Sequence, residues 1–186
     1  MWTWRLPEPD PYLGLTDEAR VRAAVMARSA ERQRRERAAE LATWVGTLRD
    51  LAEREVAVVV RVVGDHAHRG RLAAIGVDHV AIGLGSGTLA LVSLAAVRSV
   101  RPEPGRPAPV AMGDRERSQD RTLLEVLDHV LADHGRVAIG LLDLADPLTG
   151  VLIGLGEDVL TVRVDGAGRD VVYAPSAAVR EVLLDP

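Results

Sequence analysis

Apolar residues keep one spacing along the first third of the chain, switch to another, and then the whole pattern recurs. From Asp17 to about Arg54 there is no proline and one glycine, Gly46, and alanine, arginine, glutamate and leucine dominate. These residues favour helix. Thr16 and Asp17 supply an N-cap and a negative first turn. Leu41, Trp44, Val45, Leu48, Leu51 and Ala52 recur at helical spacing, so this end should pack on the domain after it. The middle, ARSAERQRRERAAE from Ala27, offers only alanines and should face solvent or a partner. The stretch reads as one long helix, or two with a kink. Residues 1–15, with Pro7, Pro9, Pro11 and Gly14, read as irregular.

At Val56 the period drops to two. VAVVVRVV predicts a strand, Gly64 to Arg69 a polar loop, and Arg71 to Ile75 a second strand. Val80, Ile82 and Leu84 alternate inward on a third. TLALVS from Thr88 and VRSVRP from Val97 predict a fourth and a fifth, and a Pro/Gly linker comes next. The unit then restarts. Thr122 to Asp133 predicts an amphipathic helix, and strands are expected at about 136–142, 149–155, 158–164, 169–174 and 178–184. RGRLAAIGVDHVAIGL from Arg69 registers on TGVLIGLGEDVLTVRV from Thr149, and AAVRSV from Ala95 falls on AAVREV from Ala177. This duplication is the strongest signal in the chain.

Composition narrows the functional classes. The chain of 186 residues has no cysteine, which excludes disulfides and thiolate metal sites. Lysine, asparagine and phenylalanine are also absent, a codon signature of a high-GC genome, so arginine here does not by itself signal phosphate recognition. No apolar run approaches a membrane span and no leader-like apolar segment opens the chain, so a cytoplasmic protein is expected. Residues 123–186 hold four arginines against eleven acids. That third of the chain should repel a nucleic-acid backbone.

A helix followed by five short strands suggests a small closed or nearly closed barrel, since closure removes exposed edges. VVVRVVGDHAHRGRLAAIGVDHVAIGL from Val58, and its second copy from Val137, resemble the Sm-like form of the SH3-type barrel. The resemblance implies a fold of mainly β with helices (α+β): a long N-terminal helix, then two five-stranded Sm-like barrels, each preceded by a helix. The arrangement is also similar to an uncharacterised actinobacterial family with an Arg/Glu-rich helix before two such barrels. Sm-like RNA binders carry an asparagine after the turn aspartate and an arginine–glycine pair in the fifth strand. Here Ala81 and Thr161 stand near the first, and Ser99 and Glu181 follow Arg98 and Arg180, so uridine binding does not carry over. The expected organisation is an irregular segment 1–15, a helix 16–54, a first barrel 56–102, a linker 103–120, and a helix plus second barrel 121–186.

Candidate chemistry is sparse. Asp78 and Asp158, kept in both copies, read as turn aspartates accepting backbone N–H groups. GLGSG at 83–87 precedes a strand and lacks a lysine, so it reads as a hairpin turn and not a phosphate loop. His66 and His68 are too few for a metal site and read as a solvated loop. His134, next to Gly135, fits helix C-terminal chemistry. No catalytic, cofactor or metal residues are singled out. Arg28, Arg32, Arg34, Arg35 and Arg37 are the candidate contact to nucleic acid or a partner, although interleaved glutamates favour a solvated helix face. Trp2 and Trp4 could anchor a partner or fold back on the domain. The expected function is a non-enzymatic protein-interaction or scaffold module, associating with itself or a protein partner through strand edges such as TLALVS and RDVVYA. The alternative is a nucleic-acid-associated regulator using the arginine-rich helix.

Overall fold

The helix formers of the N-terminal region build two helices, α1 (Pro11–Glu40) and α2 (Trp44–Glu53), in a computed structural model that describes residues 11–85, 87–103, 120–132, 135–166 and 170–184. The helix expected over 16–54 therefore starts earlier and is divided. It starts at Pro11 because a proline in the first turn forfeits only an N–H that has no helical partner. It divides because Thr43 is extended (φ −97°, ψ 159°) and its hydroxyl accepts the Gly46 N–H at 3.0 Å, capping a new helix. α2 buries Leu48 and Leu51. α1 shows no such face among its described side chains: Val21, Val25 and Met26 are all exposed.

Five strands come next: β1 (Ala57–Val62), β2 (Ala67–Ile75), β3 (His79–Leu84), β4 (Leu89–Ser93) and β5 (Val97–Pro102). β2 begins inside the stretch expected to be loop, so His68 belongs to a strand. The second unit repeats the order with α3 (Leu123–Ala132), β6 (Arg136–Leu141), β7 (Leu148–Leu155), β8 (Val159–Val164), β9 (Val171–Pro175) and β10 (Val179–Leu184). Registers repeat too. Gly70 pairs with Leu84 as Gly150 pairs with Val164, and the same irregularity comes after it, between Leu72 and Ala74 and between Leu152 and Gly154. The shared glycine has a steric cause. A Cβ at Gly70 would stand 2.2 Å from the Gly83 carbonyl oxygen, and one at Gly150 2.1 Å from that of Arg163.

All ten strands form one antiparallel sheet in the order β5-β1-β2-β3-β4-β10-β6-β7-β8-β9. The sheet is open: among the described residues no ladder closes either unit into a barrel. The edge of β4 that closure with β5 would need is occupied by β10 of the second unit. One apolar core lies under the first unit, built on Leu48, Val58, Val60, Leu72, Val80 and Ile82. A second gathers Leu127, Ile139, Leu152, Leu160 and Val182, and it also takes in Ala81 and Leu91 of the first unit. The joint between units is thus a packed seam.

Candidate interaction surface

At that seam a charged cluster is buried. Arg180 and Glu181, on β10, are 2% and 6% exposed. The Arg180 guanidinium donates to Glu181 Oε1 from Nη2 at 3.1 Å and from Nε at 3.3 Å. Glu181 Oε2 pairs with His68 Nε2, on β2 of the first unit. Burial pushes the Glu181 carboxyl up, but His68 and Arg180 outweigh it and hold the group below its ordinary value. Gly140 beside the cluster leaves room for it, since a Cβ there would meet Arg180 and Glu181 at 2.8 Å. A second cross-link joins the units. Asp78 Oδ1 accepts the Leu123 N–H at 2.7 Å, at the N-terminus of α3, and lies 3.1 Å from His79 Nδ1. A carboxylate suits that position because the first N–H groups of a helix lack helical partners. Thr122 and Glu125 complete the cap. The Thr122 N–H and hydroxyl hold Glu125 below the usual carboxylate range.

Among the described residues the sheet ends on two strands that each have one neighbour, β5 beside β1 and β9 beside β8. On β9, Val171 is 44% and Tyr173 72% exposed. On β5, Arg98, Ser99 and Arg101 are exposed and Val100 is half-buried. Of the two segments expected to be edges, RDVVYA does reach one, as β9 from Val171. TLALVS does not: it forms β4 and lies in the interior of the sheet, because β10 pairs along it.

The arginine-rich segment lies on α1 and is exposed. Arg35 bonds Glu31 and Arg32 bonds Glu36, each at 2.9 Å, and Arg34 lies 3.8 Å from Glu31. Arg28 and Arg37 form no salt bridge among the described residues. Trp2 and Trp4 fall outside the described residues, as do His134 and all of the 103–120 linker except Glu103 and Asp120. Asp78 accepts a backbone N–H as expected, though from α3 and not from its own turn. His68 departs from the solvated-loop expectation, because pairing with Glu181 draws it to 12% side-chain exposure. Among the described residues no three His, Asp or Glu side chains cluster as a metal site would require, and no helix is long and apolar enough to cross a membrane. The Arg180–Glu181 pair went unrecognised as a buried site. Its signal was two adjacent charges inside the apolar strand VREVLL.

No protein-family model matches the chain, and no curated protein matches it.

Proposed function

We propose that the protein is a non-enzymatic interaction or scaffold module, in which duplicated Sm-like units present their sheet edges to protein strands. The carrying observation is that a continuous ten-stranded sheet ends on β5 and β9, each with exposed side chains and an edge that no strand among the described residues covers. Such an edge offers a row of N–H and C=O groups to an added strand. The buried charged groups are spent on structure: Glu181 on Arg180 and His68, joining the two units. The arginines of α1 that pair with glutamates on their own helix are partly neutralised, which weighs against a phosphate-binding arm.

Light scattering on size-separated protein, with affinity capture by the intact chain, tests the reading. Association that weakens when Tyr173→Lys places a charge on β9 supports it. A strict monomer that retrieves no protein overturns it. So does RNA or duplex DNA binding that falls steeply with salt and is lost with the arginines of α1, the behaviour of a nucleic-acid-associated regulator.

A further inference from the structure

We infer that the first unit's broad sheet face, on the side turned away from the core, docks an extended acidic peptide, with Arg69, Arg71 and Arg101 holding its carboxylates. The inference rests on the interaction-module reading and gives it a partner chemistry on a face of the sheet, not an edge. Val58, Val60, Leu72 and Ile82 belong to the core, so the residues that alternate with them point the other way. The register lays Arg101, Val59 and Arg69 in one row across β5, β1 and β2 on that side. The next row runs Ala57, Arg71 and Gly83 across β1, β2 and β3. An open trough of about 510 Å³ lies here, with Ala57, Gly83 and Gly85 beside Arg69 and Arg71.

The fold does not require the trough. Ala57 holds the place of Arg136 in the second unit, Gly83 that of Arg163 and Gly85 that of Asp165. There Arg136 Nη2 pairs with Asp165 Oδ2, so an ion pair spans the ground that lies open in the first unit. Arg69 and Arg71 in turn stand where the second unit has Thr149 and Val151. Sterics do not demand the two glycines either, in contrast to Gly70. A Cβ at Gly83 would come no nearer than 3.9 Å to the Arg71 carbonyl oxygen, and one at Gly85 would meet nothing within 4 Å. The first unit thus lacks the side chains that would cover the trough and carries cations beside it.

Those cations are available. Arg69 and Arg101 are exposed and form no salt bridge among the described residues. Arg71 has Glu55 3.8 Å away, but both side chains are exposed, and such pairs hold weakly in water. Glu103 stands at the rim. Spacing selects the ligand. Residues two apart on a strand recur at about 6.6–6.8 Å on one face, so Arg69 and Arg71 match carboxylates two residues apart on an extended peptide. Guanidinium forks grip carboxylates through paired N–H groups. Arg101 lies two strands from Arg69, about 9.5 Å away, and meets a third carboxylate. Gly83 and Gly85 let a second backbone approach closely. The trough has no aromatic side chain on which a base could stack, and residues 123–186 of the same sheet hold four arginines against eleven acids, which repels a long polyanion. Arg69, Arg71, Ala73 and Gly85 are all exposed, so the trough is too open to enclose a small anion.

Fluorescence anisotropy with a labelled ten-residue peptide of alternating glutamate and alanine tests the inference. Its glutamine counterpart, inorganic phosphate and a ten-nucleotide uridine RNA serve as competitors, and all three should compete weakly. Arg69→Gln combined with Arg71→Gln should weaken binding about tenfold or more. Ala57→Arg combined with Gly85→Asp copies the second unit's ion pair into the first. It leaves net charge and both arginines in place, yet should weaken binding as much by covering the trough. Circular dichroism checks each variant for the native melt, and if one pair fails that check the other decides. No binding of the glutamate peptide at low salt, equal or tighter binding of any competitor, or binding indifferent to either folded variant overturns the inference. Tyr173→Lys separates the two proposals, because it should disturb association through β9 and leave peptide affinity unchanged. A chain that ignores the acidic peptide but still associates through β9 keeps the interaction-module reading and loses the docking face.

Discussion

Removing the carboxylate of Glu181 should destabilise the protein far more than removing one of its surface acids would. Glu181→Ala leaves the Arg180 guanidinium 2% exposed with no anion, and takes from His68 the group it pairs with. Both members of the Arg180–Glu181 pair are too buried for solvent to screen the loss. Removing one partner of a buried pair costs about 3–5 kcal/mol, a large share of the roughly 5–15 kcal/mol that holds a domain folded. The loss belongs to the stranded charge and not to the pair as such. Arg180→Met, Glu181→Leu and His68→Leu combined should therefore recover most of it, to within about 1 kcal/mol of the parent, because no member of the cluster is then left without its partner and apolar replacement of a buried ion pair or triad is often neutral or better. Urea unfolding followed by far-UV circular dichroism gives each free energy by linear extrapolation. A cost for Glu181→Ala below about 1 kcal/mol would refute the reasoning, as would a triple variant no more stable than the single one.

The same carboxylate sets a pH dependence. Its folded pKa lies below its unfolded value, so its contribution is fully present above the ordinary carboxylate range of about 4.3 and fades as pH falls through the lowered folded value. The stability difference between the parent and Glu181→Ala should hold from about pH 7 to about pH 5 and narrow in acid; a difference that widens in acid would contradict the assignment. Gly150→Ala should be disruptive despite adding one methyl group, because its Cβ would stand 2.1 Å from the Arg163 carbonyl oxygen. Overpacking costs roughly 1–3 kcal/mol where side chains can shift, and here the obstacle is backbone, so a loss above that range is expected in the same urea assay.

The strands were legible because period-two alternation is a local signal. VRSVRP was expected as a strand and forms one over Val97–Pro102, and RVAIGL begins β6 at Arg136 as expected. The duplication was legible for the same reason, since Gly70 and Gly150 answer one steric demand in both copies. What the sequence hid is non-local. Alternation cannot say which strand lies beside which, so TLALVS read as an edge although β10 covers it. It cannot show a charge neutralised from afar either: Glu181 and His68 are 113 residues apart, and each alone reads as a polar surface residue. The Asp78 carboxylate was recognised as an acceptor of backbone N–H bonds, but its donor lies 45 residues on, at the head of a helix in the other unit.

The places where the repeats diverge give that seam a further consequence. The register of the repeat puts Arg98 and Ser99 where Arg180 and Glu181 stand, and Leu148 where His68 stands, so the cluster exists only at the internal seam. If β10 of one copy were instead to pair with β9 of another, Glu181 would come against Leu148 and the acidic β6–β7 turn, buried without its histidine. If β5 were to pair with β4, His68 would face Ser99 and lose its carboxylate. Each exchange strands a group that the internal seam satisfies, at a cost on the order of 1–3 kcal/mol for an unmade buried hydrogen bond and more where charge is involved. Because β4 and β9 are the same strand of the repeat, as are β5 and β10, such pairings would otherwise compete with the internal one. Confining the ionic cluster to one of them is a physical means of keeping the internal seam internal, since specificity is a difference between affinities. Replacing the cluster by apolar side chains should then preserve stability yet relax that distinction. The Arg180→Met/Glu181→Leu/His68→Leu triple variant should accordingly show more exchange of strands between copies than the parent.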